Sequence, residues 1–182
     1  HSAQAFAQTA ITTGSVGRVR IPLDDSLGQT WASNGFDHAS WTIATNGIGF
    51  GTNSAYTALI KTDVRSLMQG VNASAYLRLP FVFTNSTAPD QITLRMKYDD
   101  GFAAWLNGVP AASANAPMDP EWNSAATAAN PPENATQFAV FDLTSLSHTL
   151  VTGTNILAVQ GLNLTAADDD FLALAELEWS GI

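Results

Sequence analysis

The chain has 182 residues and a net charge of −9, with 46% hydrophobic and 13% charged residues and no cysteine. Seven Lys and Arg in total leave no basic patch to release counterions, which argues against a nucleic-acid partner and against insertion into or binding to anionic membranes. The missing cysteines exclude a disulfide framework and a thiolate metal site, and no run approaches the ~18 apolar residues of a membrane helix. The length suits one domain with a substantial core. The opening HSAQAFAQTA carries few structural signals, so residues 1–15 are expected to be a linker and residues 16–182 a single domain.

Val16 to Leu23 reads as a first strand, closed by Asp24-Asp25-Ser26. Trp31 falls in a loop, and Trp41 opens a short strand after the turn Gly35-Phe36-Asp37-His38. Asp63 to Met68 is the one expected helix, with Asp63 as its N-cap and Gly70 just past its end. In Ala75 to Phe83 apolar residues alternate with Arg78, Pro80 and Val82, the period of a half-buried strand. Pro80 predicts an edge position or a bulge.

Ile92 to Val109 reads as the organising hairpin. Ile92, Leu94, Met96 and Tyr98 alternate with polar residues, Asp99-Asp100-Gly101 breaks the run, and Asn107-Gly108 is a type I′ turn signal. Ala111 to Gln137 is expected to be a long irregular loop carrying Trp122. Phe138 to Leu143, Asn155 to Gln160 and Phe171 to Trp179 complete seven or eight strands. With one helix and no βαβ rhythm, the fold class is all-β: an antiparallel β-sandwich, most simply a jelly roll.

Two acidic clusters stand out, Asp99-Asp100 and Asp168-Asp169-Asp170. Calcium takes six to eight oxygens at ~2.3–2.6 Å from carboxylates, carbonyls and amides. If the two loops meet, Asp99, Asp100, Asp168 and Asp170, with Asn163, would hold one ion. The bland alternative is that each carboxylate caps its own turn. For a glycan, Trp122 and Trp105 are the stacking candidates, with Asn107 and Asn163 as hydroxyl partners. Trp41 and Trp179 read as core. His1, His38 and His148 are too dispersed to suggest a zinc site. The chain has no nucleophile elbow, phosphate loop or HExxH, so it is read as non-catalytic.

Several stretches then combine into a resemblance. They are Gly35-Phe36-Asp37 with Trp41, Val71 to Ser74 followed by Tyr76 to Phe81, Tyr98-Asp99-Asp100-Gly101-Phe102, Leu106-Asn107-Gly108, Gly153 to Ala158, and Asp170-Phe171. Together these resemble the galactose-binding-like jelly-roll modules of large secreted bacterial proteins, across nearly all of residues 16–179. The Asp-Asp-Gly stretch is also similar to that of calcium-dependent adhesin domains of the protective-antigen type. Asp37-His38 departs from the module pattern, where a second acidic residue more often follows the first. The resemblance implies a carbohydrate-binding or adhesion module, calcium-stabilised, secreted or at the cell surface, beside neighbouring modules of a longer chain. The alternative from another class is a structural spacer with no small ligand. A weaker one is a glycan-active enzyme, which would need two carboxylates facing each other across a groove.

Overall fold

A computed structural model describes residues 7–181. Two six-stranded sheets face each other. The first contains β1 (Gln8–Ile11), β4 (Ile48–Phe50), β5 (Thr62–Asp63), β7 (Gln91–Asp99), β10 (Ala139–Asp142) and β12 (Phe171–Ser180). The second contains β2 (Val16–Arg20), β3 (Thr42–Thr45), β6 (Ser74–Phe83), β8 (Gly101–Leu106), β9 (Val109–Ala114) and β11 (Gly153–Leu162). The spatial orders are β10-β7-β12-β4-β5, with β1 also on β12, and β3-β2-β6-β11-β8-β9. Every pairing is antiparallel except β4 with β5. This is the all-β antiparallel sandwich that the alternating strands predict.

The core lies between the sheets because each strand turns one apolar row inward. Leu77, Leu79, Phe81 and Phe83 from β6 meet Phe171, Ala173, Ala175, Leu177 and Trp179 from β12. The outward rows are not simply solvated. Trp31, Trp41, Tyr76, Trp105, Ile156 and Ala158 form a second buried cluster outside the second sheet. Tyr56, Ala135, Leu172 and Leu174 form a third outside the first sheet. Trp41 is therefore buried, but on the outer face, while Trp179 is in the central core.

Four expectations change. Gln8–Ile11, read as linker, is β1, and Ile11 is fully buried. One helix becomes three four-residue helices, α1 (Ser54–Thr57), α2 (Arg65–Met68) and α3 (Pro132–Ala135), plus two 3-10 segments at Thr30–Ala32 and Thr144–Thr149. Asp63 lies in β5, yet its carboxylate still accepts the Arg65 N–H at 2.8 Å. The supposed loop from Ala111 begins as β9. Finally, Asp99-Asp100 is no hairpin bend. Met96 pairs with Ala175 in the first sheet, whereas Phe102 pairs with Gly161 in the second, so the acidic pair carries the chain across the sandwich. A bend between two apolar runs looks the same in sequence whether the runs pair with each other or with opposite sheets.

Asn107-Gly108 does form the tight turn between β8 and β9, with φ of 51° and 87°. Pro80 sits in a central strand, but β2 pairs with β6 only at Tyr76, Leu77 and Arg78, so that side of β6 has no ladder at Pro80.

Candidate functional site

The crossover from β7 to β8 gathers the acidic residues. Asp99 is 3% exposed, and the Tyr56 hydroxyl of α1 donates to its Oδ2. Burial pushes the Asp99 carboxyl up to about 7; the charges of Asp100 and Asp170 add to the effect and the Tyr56 bond opposes it. Burial, and then Asp169 and Asp100, also raise Asp170. The Leu164 N–H, in the loop that leads to Asp168–Asp170, donates to Asp100, so the two acidic loops approach each other. Asp100 uses Oδ1 to accept the Asn130 N–H at 2.9 Å and Oδ2 to accept the Leu164 N–H at 2.8 Å. Asp168 closes its own turn, accepting the Thr165 N–H at 3.0 Å and the Thr165 hydroxyl at 2.7 Å. Asn163 donates to the Asp170 carbonyl at 2.9 Å. These oxygens hold loops together, and among the described residues no three acidic or histidine side chains converge as the ligands of an ion would.

Asn107 is similarly engaged. Its side chain donates to the Thr149 carbonyl at 2.9 Å and to Asn155 Oδ1 at 2.7 Å, and accepts the Ile156 N–H at 2.8 Å. Trp122 is half-buried. Its segment is strapped to the second sheet: Asn72 donates to the Trp122 carbonyl at 3.1 Å, Ser74 to that of Ser124 at 2.6 Å and Gln160 to that of Glu121 at 2.8 Å.

Trp105 has a different setting. Along β8 and β9 the outward row is Ala103 and Trp105 beside Ser113 and Pro110, paired Ala103 with Ser113 and Trp105 with Pro110. Two small side chains abreast leave a depression next to the indole. The segment Pro117–Pro120 forms one wall, and Gln29 ties it to the 3-10 segment at Thr30–Ala32 by donating to the Pro120 carbonyl at 3.0 Å. The result is an open groove of about 520 Å³, within the usual range for ligand sites. Trp105 is held edge-on against Trp31 at 5.4 Å, and Trp31 stacks on Tyr76 at 3.9 Å. The floor is apolar; Gln29, Ser113 and Asp119 bring polar groups to it, and Met118 is a fully exposed lip.

Sequence reasoning missed the small pair Ala103 and Ser113, because a dent is defined by what two neighbouring strands lack. It also missed Arg78. This fully buried guanidinium has no carboxylate partner among the described residues. It donates to the carbonyls of Trp31, Ser33 (2.9 Å) and Phe36 (3.2 Å) and to His38 Nδ1 (2.9 Å). It thereby clamps the loop that carries Trp31, the backing of Trp105. Its outward place in the β6 alternation reads as solvent-facing, and only the covering loop makes it buried.

No protein-family model matches the chain, and no curated protein sequence does. Solved structures match in fold. A β-glucuronidase 2 from Bacteroides uniformis, covalently bound to cyclophellitol-6-carboxylate aziridine, aligns with 98% of this chain at TM-score 0.56 and 15% identity. A β-glucuronidase from an uncultured Clostridium aligns with 97% at TM-score 0.54 and 9% identity. One from Ruminococcus gnavus in complex with D-glucuronic acid aligns with 90% at TM-score 0.51 and 11% identity. The chain spans only 18%, 29% and 23% of those three proteins. It thus has the fold of one β-sandwich portion of much larger glycoside hydrolases.

Proposed function

We propose that this chain is a non-catalytic carbohydrate-binding β-sandwich, an accessory module of a longer bacterial protein acting outside the cell. The groove beside Trp105 carries the reading. Trp105 is 7% exposed, so the apolar contact for the C–H groups of a sugar ring is the small-residue floor of Ala103, Ala111 and Ala112 beside the indole, and the rim offers hydroxyl partners. The similarity in fold to portions of glycan-processing enzymes supports a carbohydrate context without locating a site. Asp99 Oδ2 and both oxygens of Asp100 already accept hydrogen bonds within the chain, yet each keeps a lone pair that a calcium ion could use together with Asp170. The groove does not depend on that ion, and calcium stays a separate stabilising proposal, tested by unfolding midpoints with calcium and with excess chelator. A calcium-dependent rise in the midpoint, lost in Asp100→Asn, is the expected result, and coinciding midpoints would remove the ion.

Retardation in native gels containing soluble polysaccharides tests the groove. Ser113→Trp fills the depression from an exposed position and leaves the aromatic cluster intact. Retardation by at least one polysaccharide, abolished in Ser113→Trp at an unchanged unfolding midpoint, is the expected result. The spacer reading is favoured by the strapped-down Trp122 segment, and it prevails if no polysaccharide retards the wild-type protein.

A further inference from the structure

We infer that the groove selects neutral glycans and discriminates against uronic acids, an inference that rests on the carbohydrate-binding reading above. None of its lining residues is Lys or Arg, and Asp119 is its one charged residue. The seven cations of the chain are all accounted for elsewhere. Arg78 is consumed by the loop carbonyls and His38. Arg95 pairs with Glu176 and Glu178 at 3.7 and 2.6 Å on the opposite sheet. Arg65 is bound to Gln69 and the Asp169 carbonyl, and Lys97 lies over Phe138. Arg18 donates to the Trp41 carbonyl, Lys61 to the Ala58 carbonyl, and Arg20 lines a separate cleft near Leu67.

A carboxylate is recognised by a paired guanidinium or ammonium, and without one its desolvation is uncompensated. Here a uronate would meet Asp119 and the field of a chain with net charge −9. A hydroxymethyl group at the same position carries no such penalty and finds donors and acceptors in Ser113, Gln29 and Asp119. The groove therefore suits hexoses and pentoses, unlike the glucuronic acid named with the Ruminococcus gnavus structure.

The test compares neutral polymers (β-glucan, mannan, arabinoxylan) with uronate polymers (polygalacturonate, alginate) in the same gel format, for wild type, Ser113→Trp and Asp119→Lys. The expected result is retardation by a neutral polymer and roughly tenfold or weaker binding of uronate polymers at low salt, the gap narrowing as salt screens it. Asp119→Lys is expected to narrow the gap as well. Equal or stronger retardation by a uronate polymer that Ser113→Trp abolishes would overturn the neutral preference and leave the groove standing. No retardation by any polymer would overturn the carbohydrate reading itself.

Discussion

Arg78 and Asp99 are two buried charges treated in opposite ways. Arg78 stays charged on backbone carbonyls, although burial lowers its value to about 10. Arg78→Ala would orphan those carbonyls and free the loop behind Trp105, so denaturant unfolding is expected to show a loss on the order of 3 kcal/mol. His38 can accept from Arg78 only while neutral. Burial first, then Arg78 and Arg18, lower its value, and Asp37 opposes them. The unfolded chain therefore takes that proton first, and stability falls as pH drops below 6.5. Asp99 has the other sign. Its folded value is raised, so the folded chain holds the proton between 3.8 and about 7, and stability falls as pH rises through that window. Unfolding midpoints across the window separate the two. Asp99→Asn is expected to lose the decline on the rising side, and His38→Gln to lose the acid sensitivity. A pair of profiles parallel to wild type would remove both assignments.

At the scale of elements, Gly161 on β11 shows how closely the sheets approach. A Cβ there would lie 2.5 Å from Phe171 Cζ and 3.2 Å from Ala173 Cβ on β12. Gly161→Ala is expected to cost about 1–3 kcal/mol through overpacking, read as a lower urea midpoint at an unchanged slope. The β8–β9 turn illustrates what is legible locally. Asn107-Gly108 needs positive φ at both positions and has the residues that tolerate it. The Asp99-Asp100 crossover was not legible, since both flanking runs alternate correctly and only their distant partners, Ala175 and Gly161, assign them to different sheets. β1 was missed for a related reason. Four residues carry too little alternation to be read, yet pairing with β12 suffices to order them.

For the whole molecule, three buried clusters rather than one separate a bare sandwich from this chain. Loops and short helices seal the outer faces, and the candidate groove is where that covering ends, over Ala103 and Ser113 beside the Pro117–Pro120 wall. Of the residues that sequence reading nominated for ligands, Trp105 lies in this groove. Asn107, Asn163, Asp100 and Asp168 spend their polar atoms on the chain itself. The alternation of apolar residues determined by itself that the chain is an antiparallel sandwich, because a period of two is a local property of an extended backbone. Composition alone leads to the expectation of no nucleic-acid partner, because seven Lys and Arg form no basic patch. Which strands share a sheet, which outward residues are covered and where a depression remains were decided by tertiary structure. Those outcomes depend on contacts between residues far apart in sequence, and burial of Arg78 or exposure of the Trp105 groove exists only once the loops have packed.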